Sequence, residues 1–209
     1  MNSERAAKLV DESLKESTDA IWSMDISKIT EIAQKIVKCY RKGGKVMLCG
    51  NGGSASQAQH LAAELVSKFR LKRPALSALA LTADTSILTA QANDIGFETV
   101  FERQVEAHGR KGDVLVGLST SGMSENVVKA FLLARKNGLT TVAFVGDDMK
   151  SRLARVADDV LFVQSDDTPR IQEAHIVAGH IICDLVEAEL AGPAKTRTRL
   201  GPSLVSRAS

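Results

Sequence analysis

Aromatic residues make up only 4% of this 209-residue chain, with one Trp and one Tyr. A ligand site lined with stacked rings is therefore not expected. Cysteine is scarce as well: Cys39, Cys49 and Cys183 are odd in number, widely spaced and set in apolar stretches. That excludes a disulfide framework and fits a reducing compartment. Charge of one sign is lacking, since 27 basic and 25 acidic residues are interspersed for a net +2. Neither nucleic acid nor an anionic membrane is an expected partner. No apolar run approaches the roughly 18 to 20 residues that span a bilayer, and the opening MNSERAAKLVDES has no apolar core of a signal peptide. The expected location is the cytoplasm.

What remains is 44% hydrophobic and 25% charged, with 15 Gly and 4 Pro, the proportions of an ordinary globular domain. A single core of this size needs no metal to fold, so any metal would be functional. Residues 1–192 read as one domain and 193–209, polar and basic, as a flexible tail. From 4 to about 42 the apolar residues Leu9, Val10, Leu14, Ile29, Ile32, Ala33, Ile36 and Val37 fall at helical spacing, predicting a helical hairpin with Ser27 as second cap and Gly43-Gly44 as terminator. Short apolar strands then alternate with helical patterns: 45–49, 77–81, 113–118, 140–145 and 160–163. The predicted class is α/β, a doubly wound, five-stranded, mostly parallel sheet with helices on both faces.

The last helix should start near Pro169, capped by Asp166, Asp167 or Thr168, and run to about Leu190. It is apolar around most of its circumference, which predicts burial on nearly all sides and hence a homo-oligomer.

Two strand-to-helix loops carry the chemistry. The first strand ends in CGNGGSASQAQHLAAEL, where Gly50, Gly52 and Gly53 allow a tight turn and Ser54 and Ser56 flank the N-terminus of the next helix. The third ends in GLSTSGMSENVVKAF, where Ser119, Thr120, Ser121 and Ser124 form a loop without lysine before a helix, suited to a phosphate monoester. Gly-Ser turns are also common for capping alone, but a pair at carboxyl ends of parallel strands points to ligand binding. The segment 50–55 also satisfies the dinucleotide fingerprint. Its required acid about 20 residues on is missing, for 69–73 holds Phe69 to Arg73 and Asp84 comes too late.

Three of four histidines lie on two predicted helices beside carboxylates: His60 with Glu64 four residues on, and His175 and His180 near Gln172 and Glu173. Such a set suits a divalent metal or acid–base work. A surface pair for His60 and Glu64, a core histidine for His180 and a structural one for His175 are the bland alternatives. His108 before Gly109 reads as a helix C-terminal residue. Gln172 and His180, eight residues apart, would be separated by about 12 Å of helical rise.

The segments CGNGGSAS, QHLAAEL, QANDIGFETVF, GDVLVGLSTSGMSENV and RIQEAHIVAGH together make the chain resemble the phosphoheptose isomerases of the sugar isomerase (SIS) family over residues 1 to about 190. The resemblance implies an N-terminal helical hairpin used in oligomerisation and a homotetramer with active sites shared between subunits. It implies conversion of sedoheptulose 7-phosphate to D-glycero-D-manno-heptose 7-phosphate, toward ADP-heptose for lipopolysaccharide core. Asn51, Gly52, Gly53, Asn93 and Asp94 would contact sugar. Ser119, Thr120, Ser121 and Ser124 would hold phosphate. Zinc would bind His60, Glu64, Gln172 and His180, the last two from a neighbouring subunit. Ketose–aldose isomerisation moves a proton between C1 and C2, which implies Glu64 as base and His180 as acid, with Gln172 also touching substrate. A hydride shift stays open. The non-catalytic alternative is the related proteins that bind the initiator DnaA or sense a phosphosugar.

Overall fold

In the computed structural model, residues 2–147 and 151–191 are described. The expected tail, 193–209, lies outside them. Five strands, β1 (Val46–Gly50), β2 (Ala78–Ala80), β3 (Val114–Ser119), β4 (Thr140–Gly146) and β5 (Asp159–Val163), form one sheet in the order β2-β1-β3-β4-β5. Every pairing is parallel, with Val46 beside both Ala78 and Val114. The expected mostly parallel, doubly wound sheet is present and has no antiparallel edge.

Strand alternation divides the core in two. Val46, Leu48, Val114, Val116, Leu118, Val142 and Phe144 face the layer of α2 (Ile26–Arg41), α3 (Gly53–Val66) and α8 (Thr168–Leu190). Met47, Cys49, Leu115, Ala143 and Val145 face α5 (Glu102–His108) and α6 (Glu125–Lys136). Side chains of period two buried on both faces explain why the strands read as unbroken apolar runs. The three thiols are free and buried. Burial pushes Cys49 and Cys183 up to about 12 and Cys39 up to about 11, so none is a ready nucleophile.

The two expected N-terminal helices are present, and α1 (Ser3–Trp22) and α2 each lie against α8 rather than chiefly on one another. Leu9, Val10 and Leu14 keep their helical spacing but are exposed, and Trp22 is 77% exposed. Ala20 alone of α1 is buried. The cap of α2 is Asp25, not Ser27: its Oδ1 accepts from Ser27 N at 2.8 Å, while the Ser27 hydroxyl donates to it at 2.6 Å. An acid outcompetes a serine there because it accepts from several donors at the positive helix end. Gly43, at φ +75°, ends the helix as expected.

Between them come α4 (Thr85–Asp94), a 3-10 turn at Phe97–Thr99, and α7 (Arg152–Val156). The last helix begins with Asp167 in the cap position and Pro169 in its first turn, and ends at Leu190 as predicted. Ile181 and Leu185 remain partly exposed on it.

Candidate active site

The order of the sheet reverses between β1 and β3, the switch point at which open α/β sheets bind ligands. Both Gly-Ser loops leave from these two strands. At Gly50 a Cβ would lie 2.9 Å from the Leu118 carbonyl oxygen and 2.9 Å from Ser54 Cβ, so only glycine lets β1 turn into α3. Gly52 has φ +53° and Gly53 starts the helix, with no side chain capping its N–H groups. Ser54 is buried, and the Ser56 hydroxyl donates back to the Gly53 carbonyl at 2.7 Å. Neither serine hydroxyl bonds those N–H groups; Ser54 N and Ala55 N donate instead to the Asn51 carbonyl, at 3.0 and 3.3 Å.

The second loop is built on its own hydroxyls. Ser119 Oγ and Ser124 Oγ are 3.0 Å apart, and Met123 N donates to Ser121 Oγ at 3.2 Å. Gly146 N, from the end of β4, donates to the Thr120 carbonyl at 3.0 Å and fixes that residue. α6 also starts without a side-chain cap.

A residue that the motifs did not single out joins the loops. Asn126, buried in the first turn of α6, exchanges both amide bonds with Asn51: Asn51 Nδ2 donates to Asn126 Oδ1 at 2.9 Å, and Asn126 Nδ2 donates to Asn51 Oδ1 at 2.8 Å. Asn126 Oδ1 also accepts from Val127 N at 3.0 Å. The only sign in sequence was a polar residue on an otherwise apolar helix face. Asn126→Leu keeps the branched outline, though it is bulkier, and strands the Asn51 amide, at about 1–3 kcal/mol. A melting curve should show Tm lowered by roughly 2–12 °C.

The histidines and carboxylate meet across two helices. α3 and α8 run side by side in the same direction: Gln57 Nε2 donates to the Gln172 carbonyl at 2.6 Å, Gly179 faces Leu61, and His60 faces His180. Gly179 permits the approach, because a Cβ there would sit 2.6 Å from both Leu61 methyls. His60 Nε2 and His180 Nε2 are 2.9 Å apart, and His60 Nε2 is 3.3 Å from Glu64 Oε1. His180 is therefore a partner of His60 within its own chain, which corrects the expectation that a second subunit supplies it. The helical rise between Gln172 and His180 is matched by the rise from Gly53 to His60, so a neighbouring helix of this chain meets both. Gln172 likewise belongs to its own chain's site. Its amide nitrogen and oxygen lie where a Gly53 Cβ would be, 2.6 Å away, about two turns before His60 along α3. It stands at the first loop rather than within the histidine group.

His60, Glu64 and His180 present ligand atoms all within 4.8 Å of one another. Two nitrogens on one zinc at about 2.0–2.1 Å would lie roughly 3.3 Å apart in a tetrahedron, close to what these rings adopt. Two imidazoles and a carboxylate also match the donor types that zinc takes. The residues present fit a catalytic zinc site with three protein ligands.

The remaining candidates separate. Asn93 and Asp94 are exposed at the end of α4, where Asn93 Nδ2 donates to Asp94 Oδ1 at 2.9 Å, and among the described residues neither is hydrogen-bonded to the loops or the histidines. His175 is fully buried and edge-on to Phe144, with ring centroids 5.7 Å apart. Burial pushes it down to about 4, only partly opposed by the Val145 backbone, so it is a neutral structural residue. His108 closes α5 before Gly109, as predicted. Asp84, the late acid of the dinucleotide reading, is spent capping α4, accepting from Ile87 N at 3.0 Å.

The chain is similar to known proteins over most of its length. A family model described as SIS domain matches residues 11–146. A phosphoheptose isomerase of Clostridium acetobutylicum is 54% identical over 167 residues, 80% of this chain and 85% of that protein. One from a Geobacter species is 58% identical over 155 residues, 74% of this chain and 80% of that protein. The solved structure of phosphoheptose isomerase GmhA from Neisseria gonorrhoeae aligns with a TM-score of 0.80 at 41% identity, covering 88% of this chain and 98% of that one. The chain belongs to the SIS domain family and, within it, to the phosphoheptose isomerases.

Proposed function

We propose that this enzyme converts sedoheptulose 7-phosphate to D-glycero-D-manno-heptose 7-phosphate in the cytoplasm, as an early step toward ADP-heptose and lipopolysaccharide core. The observation that carries the reading is the meeting of His60, Glu64 and His180 across α3 and α8, with α3 leaving the first of two Gly-Ser loops at the switch point. Ser119, Thr120, Ser121 and Ser124 hold the phosphate with the N–H groups at the start of α6. Asn51, Gly52, Gly53 and Gln172 contact the sugar hydroxyls.

Glu64 takes a proton from C1 while His180 gives one to the C2 oxygen, leaving an enediol. Glu64 then returns its proton to C2 as His180 takes the proton from the C1 oxygen, which becomes the aldehyde. A zinc ion held by His60 with Glu64 and His180 would supply charge stabilisation to the substrate oxygens, and Glu64 and His180 would alternate between holding it and moving protons. Gln172 would join that set only by turning its amide from Gly53.

Assembly into a homotetramer is part of the proposal. It is supported by the exposed Leu9, Val10, Leu14 and Trp22 of α1, by Ile181 and Leu185 of α8, and by a groove of about 480 Å³ lined by Ala33, Val37 and Leu185. Asn93 and Asp94, remote from the loops in their own chain, would then serve the site of a neighbouring copy. Among the described residues no helix is long and apolar enough to cross a membrane.

The test is incubation with sedoheptulose 7-phosphate, following aldoheptose phosphate, before and after treatment with a chelator. Turnover that falls at least tenfold on chelation and returns with zinc is the expected result. A well-folded protein without turnover in either state refutes the catalytic reading and would favour the DnaA-binding or sensing alternative.

A further inference from the structure

Below the histidine group, on the same flank of α8, lies a buried acid that the reaction does not use. Glu187 is seven residues after His180 and therefore on the same face of the helix. It is 1% exposed and accepts four hydrogen bonds: from Phe69 N at 2.9 Å, Arg70 N at 2.6 Å, Leu71 N at 2.7 Å and Arg73 Nε at 3.0 Å. Arg73, whose side chain is 3% exposed, carries the connection onward. Its Nη2 donates at 2.8 Å to the backbone carbonyl of Glu64, and its Nη1 donates to the Pro74 carbonyl at 3.0 Å.

Two of the three metal-ligand candidates are thus held by one ion pair. Through Arg73 it grips the last turn of α3 at Glu64 itself. Through the chain at 69–71 it presents the Phe69 ring to His180, stacked at 5.6 Å between centroids and 30° between planes. Burial alone would push the Glu187 carboxyl up, but the N–H groups of Arg70, Phe69 and Leu71 and the Arg73 charge outweigh it and hold it below the usual range. A buried pair of this kind is a weak source of stability, because desolvation offsets most of the attraction. Its geometry fits another role.

We propose that Glu187 and Arg73 are positioning residues for the His60–Glu64–His180 group, setting the distance of α3 from α8 at Glu64 and the tilt of the His180 ring through Phe69. The proposal rests on the metal-dependent isomerase reading. Groups that orient metal ligands from behind typically contribute 10- to 100-fold in metal affinity or activity when changed.

The experiment compares wild type with Glu187→Gln, which keeps the shape and removes the charge, and Phe69→Leu, which leaves the ion pair intact and removes only the stacked ring. Cobalt(II) alone is titrated into metal-free protein and read by its visible absorption, and kcat and KM for sedoheptulose 7-phosphate are measured well below each Tm. The expected result is a 10- to 100-fold loss in cobalt affinity and in kcat for Glu187→Gln, with KM within about twofold, and a smaller loss of the same kind for Phe69→Leu. Wild-type cobalt affinity, spectrum and kcat in both variants, with only Tm lowered, would mean a purely structural pair and overturn the proposal. If Glu187→Gln does not fold, Phe69→Leu decides by the same readouts. Wild-type protein that neither binds cobalt nor turns over would refute the isomerase reading itself, and the positioning role with it.

Discussion

Glu64→Gln is expected to lower kcat by about two to four orders of magnitude, the usual contribution of a positioned acid–base group, while the protein stays folded. Its carboxylate lies 3.3 Å from His60 Nε2, and His60 is half exposed. A pair so placed contributes only a few tenths of a kcal/mol to stability. The bond from Arg73 goes to the Glu64 backbone and survives the change. Tm should therefore move by less than about 2 °C. His180→Gln should give a comparable loss of kcat with a larger drop in Tm, because its ring packs on both His60 and Phe69. Steady-state turnover of sedoheptulose 7-phosphate beside a melting curve distinguishes the two. Glu64→Gln with kcat within threefold of wild type would remove it from the role of base.

The second large effect is expected at a residue with no side chain. Gly179→Val places two methyls where even one Cβ would stand 2.6 Å from the Leu61 side chain. Leu61 is buried in the core and has little room to withdraw. Overpacking of this kind costs about 1–3 kcal/mol, whereas leaving glycine in mid-helix returns only a few tenths when the newcomer is β-branched. The net destabilisation should lower Tm by roughly 2–10 °C. Activity should suffer more, since α8 must retreat from α3 and take His180 from His60, and misplacement near 1 Å can cost 10²-fold. The expected outcome is folded protein with kcat reduced about 100-fold and weakened zinc binding. Full activity in Gly179→Val would mean that the contact between the two helices does not set the site.

The fold was largely legible because its signals are local. Runs buried on both faces, glycines at strand ends and Pro169 at a helix start each act within a few residues, and every predicted strand is present within about two residues of its expected bounds. What sequence could not supply was relative placement. His60 and His180 could be named as candidates from residue type, but that α8 runs alongside α3 depends on Gly179 and Leu61 fitting together, a contact between distant segments. Taken along α8 alone, Gln172 and His180 look too far apart to share a metal, and the neighbouring subunit implied by the family resemblance fitted that spacing. The same blindness hid Asn126 and Glu187, whose ties to Asn51 and to the chain at 69–73 each span more than 70 residues. In α1 the apolar spacing was read correctly as a helix, yet spacing cannot say whether a stripe faces its own core or another surface.

The parallel sheet has an electrical side. Because every strand points the same way, α3, α6 and α8 all begin on the edge where β1, β3 and β5 end. Each start is worth roughly half a positive charge, so their sum approaches what a phosphate dianion carries. That potential is fixed in the backbone. It does not titrate, it needs no mobile side chain to be immobilised on binding, and it leaves this edge attractive to anions although the chain as a whole is nearly neutral.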